Sequence, residues 1–245
     1  MGIPPAVLRF AAVFAAVIAW FVAAPHLPAL SLWPDVLLVS FVVMPVTLLL
    51  VPLALPLLDH GWKPVTAAAA VCALAALGFS EAGWGLPANF AKLFAAVFAG
   101  WAFLTLFEQL SWVVIVAVII PFVDAISVWR GPTHSITAHH FHVYLDVAIA
   151  FLVPAGRAAY LGPPDVLFYA LFLGAAQRWR LRLWWTWIAT TFMYAITIVI
   201  ANAADVGGLP ALPFLSFGFL LANADLLWAR LRPRSSSSSS SPERY

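Results

Sequence analysis

The sequence predicts an all-α polytopic membrane protein with about eight transmembrane helices, and three observations carry that prediction. The 245 residues are 64% hydrophobic and only 9% charged, and the mean hydropathy of +0.99 excludes an ordinary soluble domain. Apolar runs of about 18 or more residues recur along the length, each sufficient for roughly 30 Å of hydrocarbon. No short alternating strands are visible, so helices, which satisfy their own backbone groups in lipid, remain as the spanning element.

Taken in order, the first run, 7–24, has Arg9 as its only basic flank. Pro25-His26-Leu27-Pro28 follows where a secretory signal would have a small-residue cleavage site, so it reads as a retained helix. The second, 35–58, contains Pro45, Pro52 and Pro56 and is expected to kink. Helices 64–80 and 90–107 follow. The stretch 90–129 is too long for one square crossing, which puts a tight break near Glu108-Gln109 and a fifth helix at 110–129. The last three are 164–177, 184–203 and 210–228, with Gly131/Pro132, Pro163/Pro164 and Gly207/Gly208/Pro210 punctuating the gaps.

The segment 139–159 is different. Its apolar core, Val147 to Pro154, is shorter than a span and is interrupted by Asp146, Pro154 and Arg157. It reads as an extended or re-entrant piece, with a ninth helix as the alternative. Ser235 to Ser241 is an unbroken serine run that cannot build a core and reads as disordered. The chain thus divides into N-terminal helices without a motif (1–109), a second transmembrane half that carries the motifs taken up below (110–230) and a serine-rich tail (231–245).

The formal charge of +2 comes largely from arginines at helix ends, and the basic stripe of a nucleic-acid surface is absent. Arg178, Arg180 and Arg182 fill one loop, and Arg230, Arg232 and Arg234 follow the last helix. Two helices separate the clusters, so both are expected on the cytoplasmic face of a prokaryotic cytoplasmic membrane, with the C-terminus inside. Trp184, Trp185 and Trp187 read as an interfacial belt. The single Cys72 excludes a disulfide framework or a thiolate metal cluster.

Acids are rare here, and a carboxylate at hydrocarbon depth is costly unless it faces a cavity or a partner. Asp124 sits about one turn inside the end of helix 110–129, where the plain reading is an acid snorkelling to the headgroups or paired with Arg130. Asp165 follows Pro163-Pro164 at a helix start, where the dipole alone justifies an acid. Their pairing is what those readings leave unexplained: the two acids lie on consecutive helices and, if 130–162 is a connection, near one membrane face. Two adjacent carboxyls share a proton. The ionised one can take a proton from water while the protonated one donates to a peptide carbonyl, and a gem-diol then collapses onto the leaving amine. That chemistry uses no metal and no cofactor.

An aspartate ending one helix (Val123-Asp124), a Gly-x-x-Asp opening the next (Gly162-Pro163-Pro164-Asp165) and Pro210-Ala211-Leu212 opening the last together resemble the presenilin and signal-peptide-peptidase family of intramembrane aspartyl proteases. The family pattern is Tyr-Asp, Gly-x-Gly-Asp and Pro-Ala-Leu, and the likeness, to a divergent microbial member, covers about 110–228. It implies Asp124 and Asp165 as the catalytic pair, and Gly162, Pro210, Ala211 and Leu212 as substrate-binding residues. It also implies a transmembrane peptide as substrate, with the lipid bilayer as the surroundings. Val123 stands where the family has tyrosine, and Pro164 where it has the second glycine. The family has nine spans, and the presenilin branch places its C-terminus outside the cytoplasm, opposite to the basic-cluster reading here.

Two other functions fit the same acids: a proton- or cation-coupled transporter, against which the lack of an inverted repeat counts, and a catalytically inactive scaffold, suggested by Val123 and Pro164. His134, His139, His140 and His142 crowd one connection and read as surface or gate residues rather than metal ligands. Asp205 reads as a loop residue, and Asp225 as a helix-end acid near Arg230. The protease reading expects the two carboxyls to face each other across helices 110–129 and 164–177, with Pro210 to Leu212 beside them.

Overall fold

In a computed structural model, which describes residues 4–56, 61–130, 141–206 and 209–231, apolar helices dominate. They are α1 (Pro5–Ala23), α2 (Leu32–Ala54), α3 (Trp62–Glu81), α4 (Gly85–Leu104), α5 (Leu110–Arg130), the short α6 (Phe141–Val147), α7 (Pro163–Arg178), α8 (Leu183–Ala203) and α9 (Leu212–Leu231). Between α6 and α7 lies an antiparallel hairpin of β1 (Ile149–Leu152) and β2 (Ala158–Leu161), with Ile149 opposite Leu161 and Leu152 opposite Ala158. The segment read as extended or re-entrant is therefore a short helix and a hairpin, and the protein is mostly rather than wholly α-helical.

Among the described residues, seven helices are long and apolar enough to cross a bilayer: α1 with the turn after it, then α2, α3, α4, α5, α8 and α9. Their outer faces carry large apolar side chains that water would not tolerate as contiguous patches, such as Val71, Leu74 and Leu77 of α3 and Phe122 and Ile126 of α5. The protein is an integral membrane protein. The eighth expected span, 164–177, is a helix of 16 residues. Tyr169 to Ala176 are buried all round, as befits a helix enclosed by others rather than one facing lipid. It packs against α4, α8, α9, α2 and α5.

Sequence dictates the local irregularities. Pro45 lacks an N–H and crowds the carbonyl one turn back. The chain meets it with a π-helical stretch at Val39–Val43, and Thr47 Oγ1 donates to the Val43 carbonyl at 2.8 Å. Gly83 (φ 72°) turns α3 into α4, and those two helices pack along their length.

Close approach of α4 and α7 rests on small residues. A Cβ on Gly100 would lie 2.2 Å from the Leu167 carbonyl oxygen, and one on Gly174 would lie 2.8 Å from Leu104. Trp101 Nε1 donates to the Ala170 carbonyl at 3.1 Å across the same seam.

At one end of the bundle, fully buried Asn223 ties three elements. Its Oδ1 accepts the Arg182 N–H at 3.0 Å, and its Nδ2 donates to Thr186 Oγ1 at 2.8 Å and to the Phe219 carbonyl at 2.9 Å. Asn223→Ala orphans the Arg182 N–H. It is expected to cost about 1–3 kcal/mol, read as a lower unfolding midpoint in detergent. Nearby, Arg182 grips Asp225 through two bonds of 2.8 and 2.7 Å, so Asp225 pairs with Arg182 and Arg230 instead donates to the Trp179 and Arg180 carbonyls. Trp184 and Trp185 stand exposed beside these arginines. The serine run lies outside the described residues.

Candidate functional site

Asp124 continues the inward stripe of α5 that includes Val113, Ala117 and Ile120, while Phe122, Val123 and Ile126 face outward. The stripe packs against α9. The α9 start is Pro210-Ala211-Leu212, all three buried. The first N–H groups of a helix have no partner within it. That of Leu212 is donated to Asp124 Oδ2 at 3.0 Å.

Asp165 occupies the first turn of α7. Pro163 and Pro164 lie at the first positions of that helix, where a missing N–H costs nothing because it would be unpaired anyway. Pro164 therefore leaves the helix start intact, although glycine's backbone freedom is gone. Asp165 Oδ2 accepts the Gly162 N–H at 3.2 Å, the reach-back contact of a third-position acid. Each carboxyl thus holds one main-chain N–H.

The two carboxyls lie within electrostatic reach of each other. Asp124 and Leu212 meet where α5 packs on α9, and Asp165 and Gly162 stand at the start of α7, which contacts both of those helices.

Around Asp165 stand three tyrosines for which the sequence offered no signal beyond their scarcity. Tyr194 of α8, buried, donates its hydroxyl to the Asp165 carbonyl at 2.6 Å. Its ring stacks on Tyr169 with centroids 5.7 Å apart, and the Tyr169 hydroxyl pairs with Thr191 Oγ1 at 2.9 Å. Tyr144 of α6 is pushed up to about 12, first by burial and then by the charge of Asp165.

The hairpin leads straight into this site. Asn89 of α4 closes the outer edge of β1, donating to the Ala150 carbonyl at 2.9 Å and accepting the Ala150 N–H at 2.7 Å. Trp20 donates to the Leu152 carbonyl at 2.9 Å. At the hairpin turn Arg157 forms an ion pair with buried Asp35 and donates to the Leu30 carbonyl at 2.7 Å. Neither Asn89 nor Asp35 stood out in the sequence, since each reads as a polar residue in the first turn or so of an apolar helix.

Among the described residues, no group of three or more His, Cys, Asp or Glu could hold a metal. His134, His139 and His140 lie outside them. No family model matches the chain, and neither a curated protein nor a solved structure matches it.

Proposed function

We propose that this chain is an intramembrane aspartyl endopeptidase, presenilin-like in its arrangement, that hydrolyses transmembrane peptides with a water held between Asp124 and Asp165. The observation that carries the reading is the bond from the Leu212 N–H to Asp124, which joins the first and third motifs 88 residues apart, with Asp165 in electrostatic reach. Asp165 and Asp124 divide the roles of base and acid between them, and the shared proton passes to the leaving amine.

The hairpin supports the same reading. A helical substrate shields its own carbonyls, so hydrolysis requires an extended segment. The Val153 N–H donates to the Arg157 carbonyl at 2.8 Å, which fixes the phase of the ladder: Ala158 and Tyr160 turn their main-chain groups to the outer edge of β2. With β1 occupied by Asn89 and Trp20, a peptide strand adds to β2, which delivers it to Gly162 and Asp165.

The test is incubation of the detergent-solubilised protein with a transmembrane peptide carrying a central Gly or Asn break, with fragments identified by mass spectrometry. Cleavage blocked by a hydroxyl-bearing transition-state isostere is the expected result. Cleavage indifferent to the isostere, or proton flux in liposomes without proteolysis, overturns the reading, the latter in favour of transport.

A further inference from the structure

We propose that Tyr194 is the positioning residue of the aspartate pair: its buried hydroxyl, bonded to the Asp165 main chain at 2.6 Å, locks the first turn of α7 against α8 and so sets where the Asp165 carboxyl stands relative to Asp124. The catalytic consequence rests on the protease reading; the positioning itself does not.

The protein has five tyrosines; Tyr144 and Tyr194 lie within electrostatic reach of Asp165 and Tyr169 stacks on Tyr194, while Val123 occupies the place beside Asp124 where the family resemblance puts a tyrosine. The Tyr194 hydroxyl bonds the Asp165 residue itself and lies within electrostatic reach of both carboxyls. A buried tyrosine hydroxyl must find a partner, and this one has chosen a carbonyl in the first turn of the helix that carries the acid. Stacking on the Tyr169 ring fixes the ring that carries it, a contact that phenylalanine at 169 keeps. The first turn of α7 is thus held from α8 by a hydroxyl and, through Gly162, by the Asp165 side chain's own bond. Proton sharing between two carboxyls depends steeply on their separation, so loosening that turn alters how the pair titrates.

Among the described residues, the titratable groups within electrostatic reach of Asp165 are Asp124 of α5, Tyr144 of α6 and Tyr194 of α8. The experiment is a carboxyl titration of the full chain in bicelles by carbon NMR of labelled aspartate, with Asp165→Asn assigning the signal. It is run on wild type, Tyr194→Phe, Tyr144→Phe and Tyr169→Phe, and cleavage of the broken-helix peptide is measured on the same samples.

Tyr169→Phe is the control, equally buried but bonded to Thr191. The expected result is that Tyr194→Phe changes the spacing of the two apparent pKa values by about one unit or more. It is also expected to lower kcat about 10- to 100-fold with KM held within about twofold, whereas Tyr169→Phe does neither. If Tyr194→Phe fails to fold by circular dichroism, 4-fluorophenylalanine at 194 fills the hydroxyl's place without a donor, and is read the same way. Identical titration in Tyr194→Phe and wild type, or equal effects of Tyr169→Phe, overturns the proposal. If the wild type cleaves nothing, the protease reading falls, and the titration alone still decides whether Tyr194 positions the pair.

Discussion

Asparagine at position 124 or position 165 is expected to lower cleavage of a transmembrane peptide by about 10⁴-fold or more, and the double variant little further. Asparagine keeps the shape and a side-chain oxygen for the Leu212 or Gly162 N–H, so the helix contacts survive the change. What disappears is a titratable oxygen. In the proposed mechanism one carboxyl takes a proton from water while the other gives one to the peptide, and general acid and base contributions run to about 10²–10⁴ each. Because the two acids act on one proton, removing either stops the cycle, and the losses do not add.

The pH profile should be bell-shaped, since only the singly protonated pair is competent. The three readings separate on this set. A transporter loses proton flux in Asp124→Asn and never cleaves. An inactive scaffold is indifferent to either change. Cleavage at the wild-type rate in both single variants would sink the protease mechanism.

Most helices were legible because lipid imposes one rule, about twenty apolar residues per crossing, and the breaks follow Gly and Pro. The turn between α4 and α5 falls around Glu108-Gln109 for that reason. What composition does not encode is which helix is enclosed. Residues 164–177 read as one more span, yet their burial comes from five neighbouring elements, and length alone separates that helix from a lipid-facing one. The hairpin was unreadable as strand because Ile149-Ala150-Phe151-Leu152 is apolar throughout and so shows no alternation. Its edge partners Asn89 and Trp20 lie 61 and 132 residues away.

The motif residues were legible as motifs, but the bond from Leu212 to Asp124 depends on the packing of α5 against α9. Tyr194 and Asp35 carried no local pattern. A lone tyrosine in a span, and an acid in a helix's first turn, each have an ordinary explanation.

Gly100→Ala is expected to be the most damaging single methyl in the bundle. Its Cβ would stand 2.2 Å from the Leu167 carbonyl oxygen and 3.1 Å from its carbon, both main-chain atoms of α7, so no rotamer change relieves the clash. The helices must part. Parting them breaks the Trp101 bond to Ala170 and loosens Leu104 from Gly174. Overpacking of this kind costs about 1–3 kcal/mol and sometimes more; with the lost bond, about 3 kcal/mol or more is expected, read as a large drop in the unfolding midpoint.

On the protease reading, cleavage falls too. Leu167 is two residues beyond Asp165, and displacing a reacting group by about 1 Å can cost about 10²-fold in rate. Gly78→Ala is the matched control: nothing lies within 4 Å of its Cβ on lipid-facing α3, and alanine is the better helix former by about 1 kcal/mol, so it should leave stability unchanged or slightly raised. Gly218→Ala, whose Cβ would meet the Ala189 carbonyl oxygen at 3.0 Å, should fall between the two, and it should disturb the α8–α9 seam rather than Asp165. Should Gly100→Ala unfold like Gly78→Ala, α7 is not seated on α4 as described.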